Sequence, residues 1–221
     1  MHCYSYPHPA VTTDIAVFSI FEDQLNILLI QRANEPFKGH WALPGGFVEI
    51  DEDLNEGAAR ELYEETNLSH IYLEQLYTFG APQRDPRERV ITVAYYALVA
   101  SSEVRHAAAG SDAVTTKWFP ILNLPILAFD HKNIIDTALE RLIAKVRYST
   151  IALQLLPQQF TLHELQQIYE IILNENLDKR NFRKKILALD CVVESGQQRR
   201  DGQHRPAKLY VAKNKQVDFT L

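Results

Sequence analysis

Glu61, Glu64 and Glu65 stand three, one and four residues apart, inside a stretch rich in helix-forming residues. On a helix, side chains at those offsets share one side. Held together, like charges repel by about a few tenths of a kcal/mol per pair. A divalent cation reverses that sign. Clustered hard oxygen donors suit Mg2+ or Mn2+, above all when phosphate oxygens complete the shell. An ion held there would polarise phosphate oxygens in its shell and lower the pKa of a bound water. Three acids alone also make an ordinary solvated face, so the surrounding residues must decide.

The elements that would position them follow from periodicity. Leu54–Thr66 reads as a helix, with Leu54, Ala58 and Leu62 recurring every four residues and facing a core. At about 100° per residue, Glu61 and Glu65 flank the Leu62 stripe, at the edge of the packed surface. Thr12–Phe21 and Leu25–Gln31 are rich in β-branched and apolar residues, and with the Glu22–Gln24 turn they read as a hairpin. Trp41–Gly46 reads as a loop leading to the helix. Ile71–Phe79 and Val90–Ala100 read as strands around a Pro- and Arg-rich loop, Gly80–Arg89. Thr115–Phe119 reads as a short strand, and Asn133–Val146 has helical periodicity.

The segment GGFVEIDEDLNEGAARELYEETNL, from Gly45 to Leu68, resembles the Nudix box, G-x5-E-x7-R-E-U-x-E-E-x-G-U with U apolar. Gly46, Glu52, Arg60, Glu61, Leu62, Glu64, Glu65 and Leu68 all match. The one departure is Asn67 in place of Gly, and Asn tolerates the left-handed conformation a helix end demands. The resemblance implies an α/β/α sandwich with a mixed sheet, and cleavage of a nucleoside diphosphate linked to another group. It implies that Glu61, Glu64 and Glu65 bind Mg2+ or Mn2+ with the Gly45 carbonyl, and that Arg60 and Glu52 orient the acidic helix. Which carboxylate is the base stays open. The stretch YLEQLYTFGAPQRDPRERVITVAYYALV is similar to ADP-ribose-type Nudix proteins, and Arg84, Arg87 and Arg89 are candidates for binding phosphate, since guanidinium forks fit phosphate oxygens. A solvated loop stiffened by Pro82 and Pro86 is the bland alternative. Phe37, Trp41 and Tyr77 could stack on a base, but aromatics in such places more often fill a core.

The remainder of the chain has another texture. Residues 1–150 hold 12 Lys+Arg against 20 Asp+Glu, a net of −8, whereas residues 151–221 hold 11 against 8, a net of +3. That asymmetry suggests two modules with different partners, a Nudix domain over 1–147 and a second over 148–221. Thr161-Leu162-His163-Glu164 is a capping box opening a helix with Leu165, Ile168, Tyr169, Ile172 and Leu173 as its stripe. After a turn ending at Asp178, Lys179–Leu189 reads as a cationic helix, followed by strands at Cys191–Val193 and Lys208–Ala212 around a polar loop, Glu194–Arg205. Two helices and a basic hairpin follow winged helix-turn-helix logic. Arg180, Asn181, Arg183 and Lys184 would meet DNA from the recognition helix, and Arg199, Arg200 and Arg205 from the wing. The end, RRDGQHRPAKLY, resembles the winged helix of Nudix-related regulators of NAD metabolism.

Composition excludes some classes. With 46% hydrophobic and 23% charged residues, wholesale disorder is not expected. No apolar run approaches the roughly 20 residues of a membrane helix, and no basic leader precedes an apolar core at the start. Two cysteines, Cys3 and Cys191, make neither a disulfide framework nor a Cys-rich metal site and point to a cytoplasmic setting. Three readings stay open: a metal-dependent hydrolase of ADP-ribose or a relative with a DNA-binding tail, a regulator whose Nudix domain only senses such a ligand, and a tail that merely dimerises. Retention of every charged box position favours the first. A homodimer is expected, because winged-helix regulators usually read paired half-sites.

Overall fold

The computed structural model describes residues 6–104, 113–200 and 206–213. They form two compact units. The first comprises the chain up to Phe18, Asn26–Leu98 and the residues through Leu139; the second takes Ser19–Leu25, Val99–Val104 and the chain from Glu140 onward. No helix among the described residues is long and apolar enough to cross a membrane.

A seven-stranded sheet organises the first unit. Its strands are β1 (Ala10–Phe21), β2 (Gln24–Arg32), β3 (Trp41–Ala42), β4 (Gly45–Phe47), β5 (Tyr72–Phe79), β6 (Val90–Val99) and β7 (Ala113–Pro120). The order is β3-β2-β1-β6-β5, with β4 on β1 and β7 on β2. β1 is central and buried without a break from Thr12 to Ile20. Its near-continuous apolar run is what a strand covered on both faces requires. The β1–β2 hairpin turns at Glu22 and Asp23, whose φ of 52° and 55° give the reversed twist that tight hairpins favour. β3 and β4, which sequence alone reads as loop, are strands only because β2 and β1 offer them partners.

Two helices follow, α1 (Leu54–Thr66), in the first unit, and α2 (His131–Tyr148), whose residues to Leu139 belong to the first unit and the rest to the second. Asp53 caps α1 through a capping box with Glu56. The helix stops at Asn67, in the left-handed conformation (φ 58°, ψ 18°), with its N–H donated to the Tyr63 carbonyl. Asn thus does here what Gly does in the usual box. Ala58 and Leu62 are buried, so the predicted stripe faces the core.

The second unit contains a 3-10 turn (Ile151–Leu155), α3 (Leu162–Leu173), α4 (Lys179–Ala188) and the hairpin β8 (Val192–Arg199) with β9 (Ala207–Ala212). Phe160 adds a short third rung by exchanging both backbone hydrogen bonds with Tyr210. Thr161 and Glu164 form the expected capping box on α3. Asp178 caps α4 by accepting from the Asn181 N–H at 2.8 Å. Phe182 and Ile186 anchor α4, with Phe182 edge-on to Tyr169 at 5.3 Å, while its cations stay outside. The first half of what sequence reads as a polar wing loop, Glu194–Arg199, is strand, because β8 runs on to Arg199 with a register shift between Glu194 and Gln198.

Candidate functional site

A cleft of about 420 Å3 opens in the first unit between the ends of β1 and β2, the β3–β4 strap, α1 and the loop before α2. That volume suits a small ligand. Gly45 is indispensable to its floor. Its φ is 150°, and a Cβ there would collide with the Thr13 carbonyl.

Arg60 is the clamp of the acidic helix. Its Nε and Nη2 reach Glu52 at 2.9 and 2.7 Å, a bidentate pair, and Nη2 also donates to the Phe47 carbonyl. Nη1 donates to Glu61 and Glu64 at 2.9 and 3.1 Å. The Arg60 hydrogen bonds hold the Glu52 carboxyl down at about 2. Burial pushes the Glu61 carboxyl up despite Arg60 beside it. Glu65, 8% exposed, accepts the Gly45 N–H at 2.8 Å.

Glu61 and Glu65 therefore line the cleft, whereas Glu64 lies half-exposed beside Arg60. Carboxylates next to the Gly45–Gly46 backbone are the donor set a hard divalent ion takes, so the residues fit Mg2+ or Mn2+ by chemistry. Among the described residues, however, no three acidic, histidine or cysteine side chains converge on one point as a metal-holding group. Arg60 and the Gly45 amide occupy these carboxylates instead.

The three loop arginines have separate fates. Arg84 is buried and bound to Asp130 at 2.8 and 3.1 Å and to Asp14 at 3.1 Å. Arg87 lines the cleft, pairs with Asp85 at 2.7 and 3.0 Å, and lies 5.5 and 5.9 Å from the Phe47 and Phe129 rings. Arg89 is exposed, donates to backbone carbonyls of Ala81 and Val90, and is not part of the cleft wall.

Sequence reasoning missed Arg32. It ends β2, lines the cleft, and stands 4.8 Å from the Phe129 centroid with its Nε on the Pro36 carbonyl. No carboxylate lies within ion-pairing distance of it among the described residues. Burial and then the Arg87 charge lower its pKa, against the more distant charges of Asp85, Glu65 and Asp14, which raise it. Thr12 also faces the cleft, and its buried hydroxyl has no hydrogen-bond partner among the described residues. The signal that could have flagged Arg32 was a lone cation ending a strand otherwise uncharged. Phe37, Trp41 and Tyr77 are absent from the wall: Phe37 packs on Phe129, Trp41 on Phe119, and Tyr77 beside Phe79.

In the second unit Lys179, Arg180, Asn181, Arg183 and Lys184 are all exposed on the first two turns of α4. Arg200 is exposed as well. Arg199 is not free: its Nη2 lies 2.5 Å from Glu164, tying β8 to the α3 capping box. Arg205 lies outside the described residues.

A Glu-rich helix clamped by arginine over a two-glycine strap sets the class of the first unit as a Nudix domain, and the capped helices with their hairpin set that of the second as a winged helix. Residues 11–141 match the NUDIX domain and residues 152–212 the NrtR DNA-binding winged helix domain. The chain belongs to the Nudix family and carries an NrtR-type winged helix. It is 43% identical over 222 residues to the ADPR responsive transcriptional repressor NtrR of Acinetobacter baylyi, covering 98% of this chain and 87% of that protein. It is 45% identical over 130 residues to the ADP-ribose pyrophosphatase of Methanocaldococcus jannaschii, covering 59% of this chain and 73% of that one. The crystal structure of Shewanella oneidensis NrtR complexed with a 27mer DNA superposes with a TM-score of 0.80 at 38% identity, covering 92% of this chain and 93% of the other.

Proposed function

We propose that this protein is a DNA-binding transcriptional repressor whose Nudix cleft senses ADP-ribose. One observation carries the reading: the cleft sets Arg32, a half-buried cation without a carboxylate partner, beside Arg87 and the orphan Thr12 hydroxyl. A diphosphate would give Arg32 the counter-charge it lacks and lie within reach of Arg87. Likeness to an ADP-ribose-responsive repressor over 98% of the chain supports joining that cleft to DNA control. The test is anisotropy of a labelled operator duplex, selected from random DNA by the protein itself. ADP-ribose is expected to change its affinity at least fivefold, a coupling of roughly 1 kcal/mol. No change at saturating ADP-ribose would remove the sensor reading.

On the DNA side, Arg180, Asn181 and Arg183 are the base-reading candidates, with Lys184 and Arg200 on phosphates. Arg183→Ala is expected to weaken operator binding about tenfold, a loss of ~1–3 kcal/mol for a base contact. If Arg183 touches only phosphate, the variant instead weakens all duplexes alike and lowers the salt slope by about one. Wild-type affinity at every salt concentration would remove α4 from the interface. We further propose a homodimer reading two half-sites by two-fold symmetry.

A second reading, hydrolysis of ADP-ribose, is favoured by one specific observation: Glu52, Arg60, Glu61, Glu64 and Glu65 are all present, with Arg60 and Glu52 paired. Held by Glu61, Glu64, Glu65 and the Gly45 carbonyl, Mg2+ or Mn2+ would neutralise the diphosphate and activate water. For a sensor, ADP-ribose stabilises the protein thermally without releasing AMP. AMP release in Mg2+ that Glu65→Gln abolishes would establish the hydrolase instead.

A further inference from the structure

His131 opens α2, is buried, and belongs to none of the motifs in the sequence. Its Nδ1 accepts the backbone N–H of Leu43 at 2.8 Å, across 88 residues of chain. An accepting Nδ1 carries no proton, so the neutral ring holds its hydrogen on Nε2. That nitrogen faces Asp14 Oδ1 at 3.5 Å. Asp14 in turn accepts from Arg84, which grips Asp130, the residue before His131. Burial depresses the His131 pKa and favours the neutral ring this geometry needs.

Leu43 begins the short strap that forms the cleft floor. Pro44 offers no N–H, and its carbonyl accepts from Ile15 at 2.8 Å. Gly45 pairs with Asp14 in the sheet and donates to Glu65. The strap is thus tied at three successive residues, to His131, to β1 and to α1. Of the three ties only the one at Leu43 comes from a side chain beyond the Nudix box. We propose that His131 is a positioning residue of the ligand cleft: by anchoring Leu43 it fixes the Gly45 strap, and so sets Glu65 and the floor on which the ligand rests. The inference rests on the cleft being the ADP-ribose site.

Two near-isosteres separate this role from simple packing. In His131→Asn, the Asn carbonyl oxygen can take the place of Nδ1 and accept from Leu43. In His131→Gln, the longer amide can reach Asp14 in place of Nε2 but leaves Leu43 unanchored. Amide hydrogen exchange without ligand is expected to stay slow at Leu43 and Gly45 in His131→Asn, and to speed up at least tenfold in His131→Gln and His131→Leu. By calorimetry, ADP-ribose affinity is expected to stay within threefold of wild type in His131→Asn and to fall tenfold or more in the other two. Wild-type exchange at Leu43 in His131→Gln, or affinities that follow only the melting temperature across all three variants, would overturn the proposal. Should the wild type itself fail to bind ADP-ribose, the ligand reading falls, and the exchange rates still decide whether His131 fixes the strap.

Discussion

Arg84→Ala is expected to destabilise the protein by about 3–5 kcal/mol, the usual cost of removing one partner from a buried ion network. The Arg84 side chain is 4% exposed and is the only cation hydrogen-bonded to either Asp14 or Asp130 among the described residues. Deleting it leaves two largely desolvated carboxylates without a cation, Asp14 keeping only the neutral His131 ring at 3.5 Å, which burial makes far costlier than losing a surface pair. For a chain of 221 residues the shift in melting temperature should be roughly 10 °C. Arg84→Lys should recover only part of it, because an ammonium cannot span both oxygens of Asp130 and reach Asp14 as the guanidinium fork does. Thermal and urea unfolding at neutral pH read the effect. An unchanged melting temperature with weakened ADP-ribose binding would give Arg84 the ligand role that its sequence neighbourhood suggests.

Arg32→Ala is expected to do the opposite: to leave stability within about 1 kcal/mol of wild type and to weaken ADP-ribose binding tenfold or more. Among the described residues its guanidinium makes only a hydrogen bond to the Pro36 carbonyl and a contact with the Phe129 ring, with no ion pair, so little of the fold depends on its charge. A charge-assisted hydrogen bond to a diphosphate is worth about 1.5–3 kcal/mol, or roughly 10–150-fold in affinity. Arg87→Ala should cost less affinity and more stability. Asp85 already neutralises Arg87, and removing the guanidinium strands the buried Asp85 carboxylate. Calorimetric titration of the three proteins with ADP-ribose checks the ranking. Wild-type affinity in Arg32→Ala would move the anion site away from the Phe129 ring.

The single residues at which sequence and structure part company share a feature. Arg84, Arg87 and Arg89 look equivalent in a loop of alternating charge and proline, yet one is buried, one is paired in the cleft and one is exposed. The fate of Arg84 depends on Asp14 and Asp130, 70 and 46 residues away, whereas Arg87 meets Asp85 only two residues before it. Arg199 reads as a phosphate contact until Glu164, 35 residues away, arrives beside it. β3 and β4 are too short to announce themselves, since two or three residues carry no alternation to read.

What sequence by itself determined is everything encoded within one or two helical turns. The bounds of α1, its left-handed stop at Asn67 and the capped, cationic α4 follow from local spacing and local hydrogen-bond chemistry, while the Arg60–Glu52 clamp was implied by the resemblance to the Nudix box. The tertiary structure alone decided which charges are spent inside the protein and which are left for a ligand. Arg84 is consumed, Arg32 is spared, and His131 is brought to Leu43 across 88 residues. The reason is physical: a buried charge or imidazole takes its role from whichever counter-group the folded chain delivers within hydrogen-bonding reach, and spacing along the sequence does not encode that meeting.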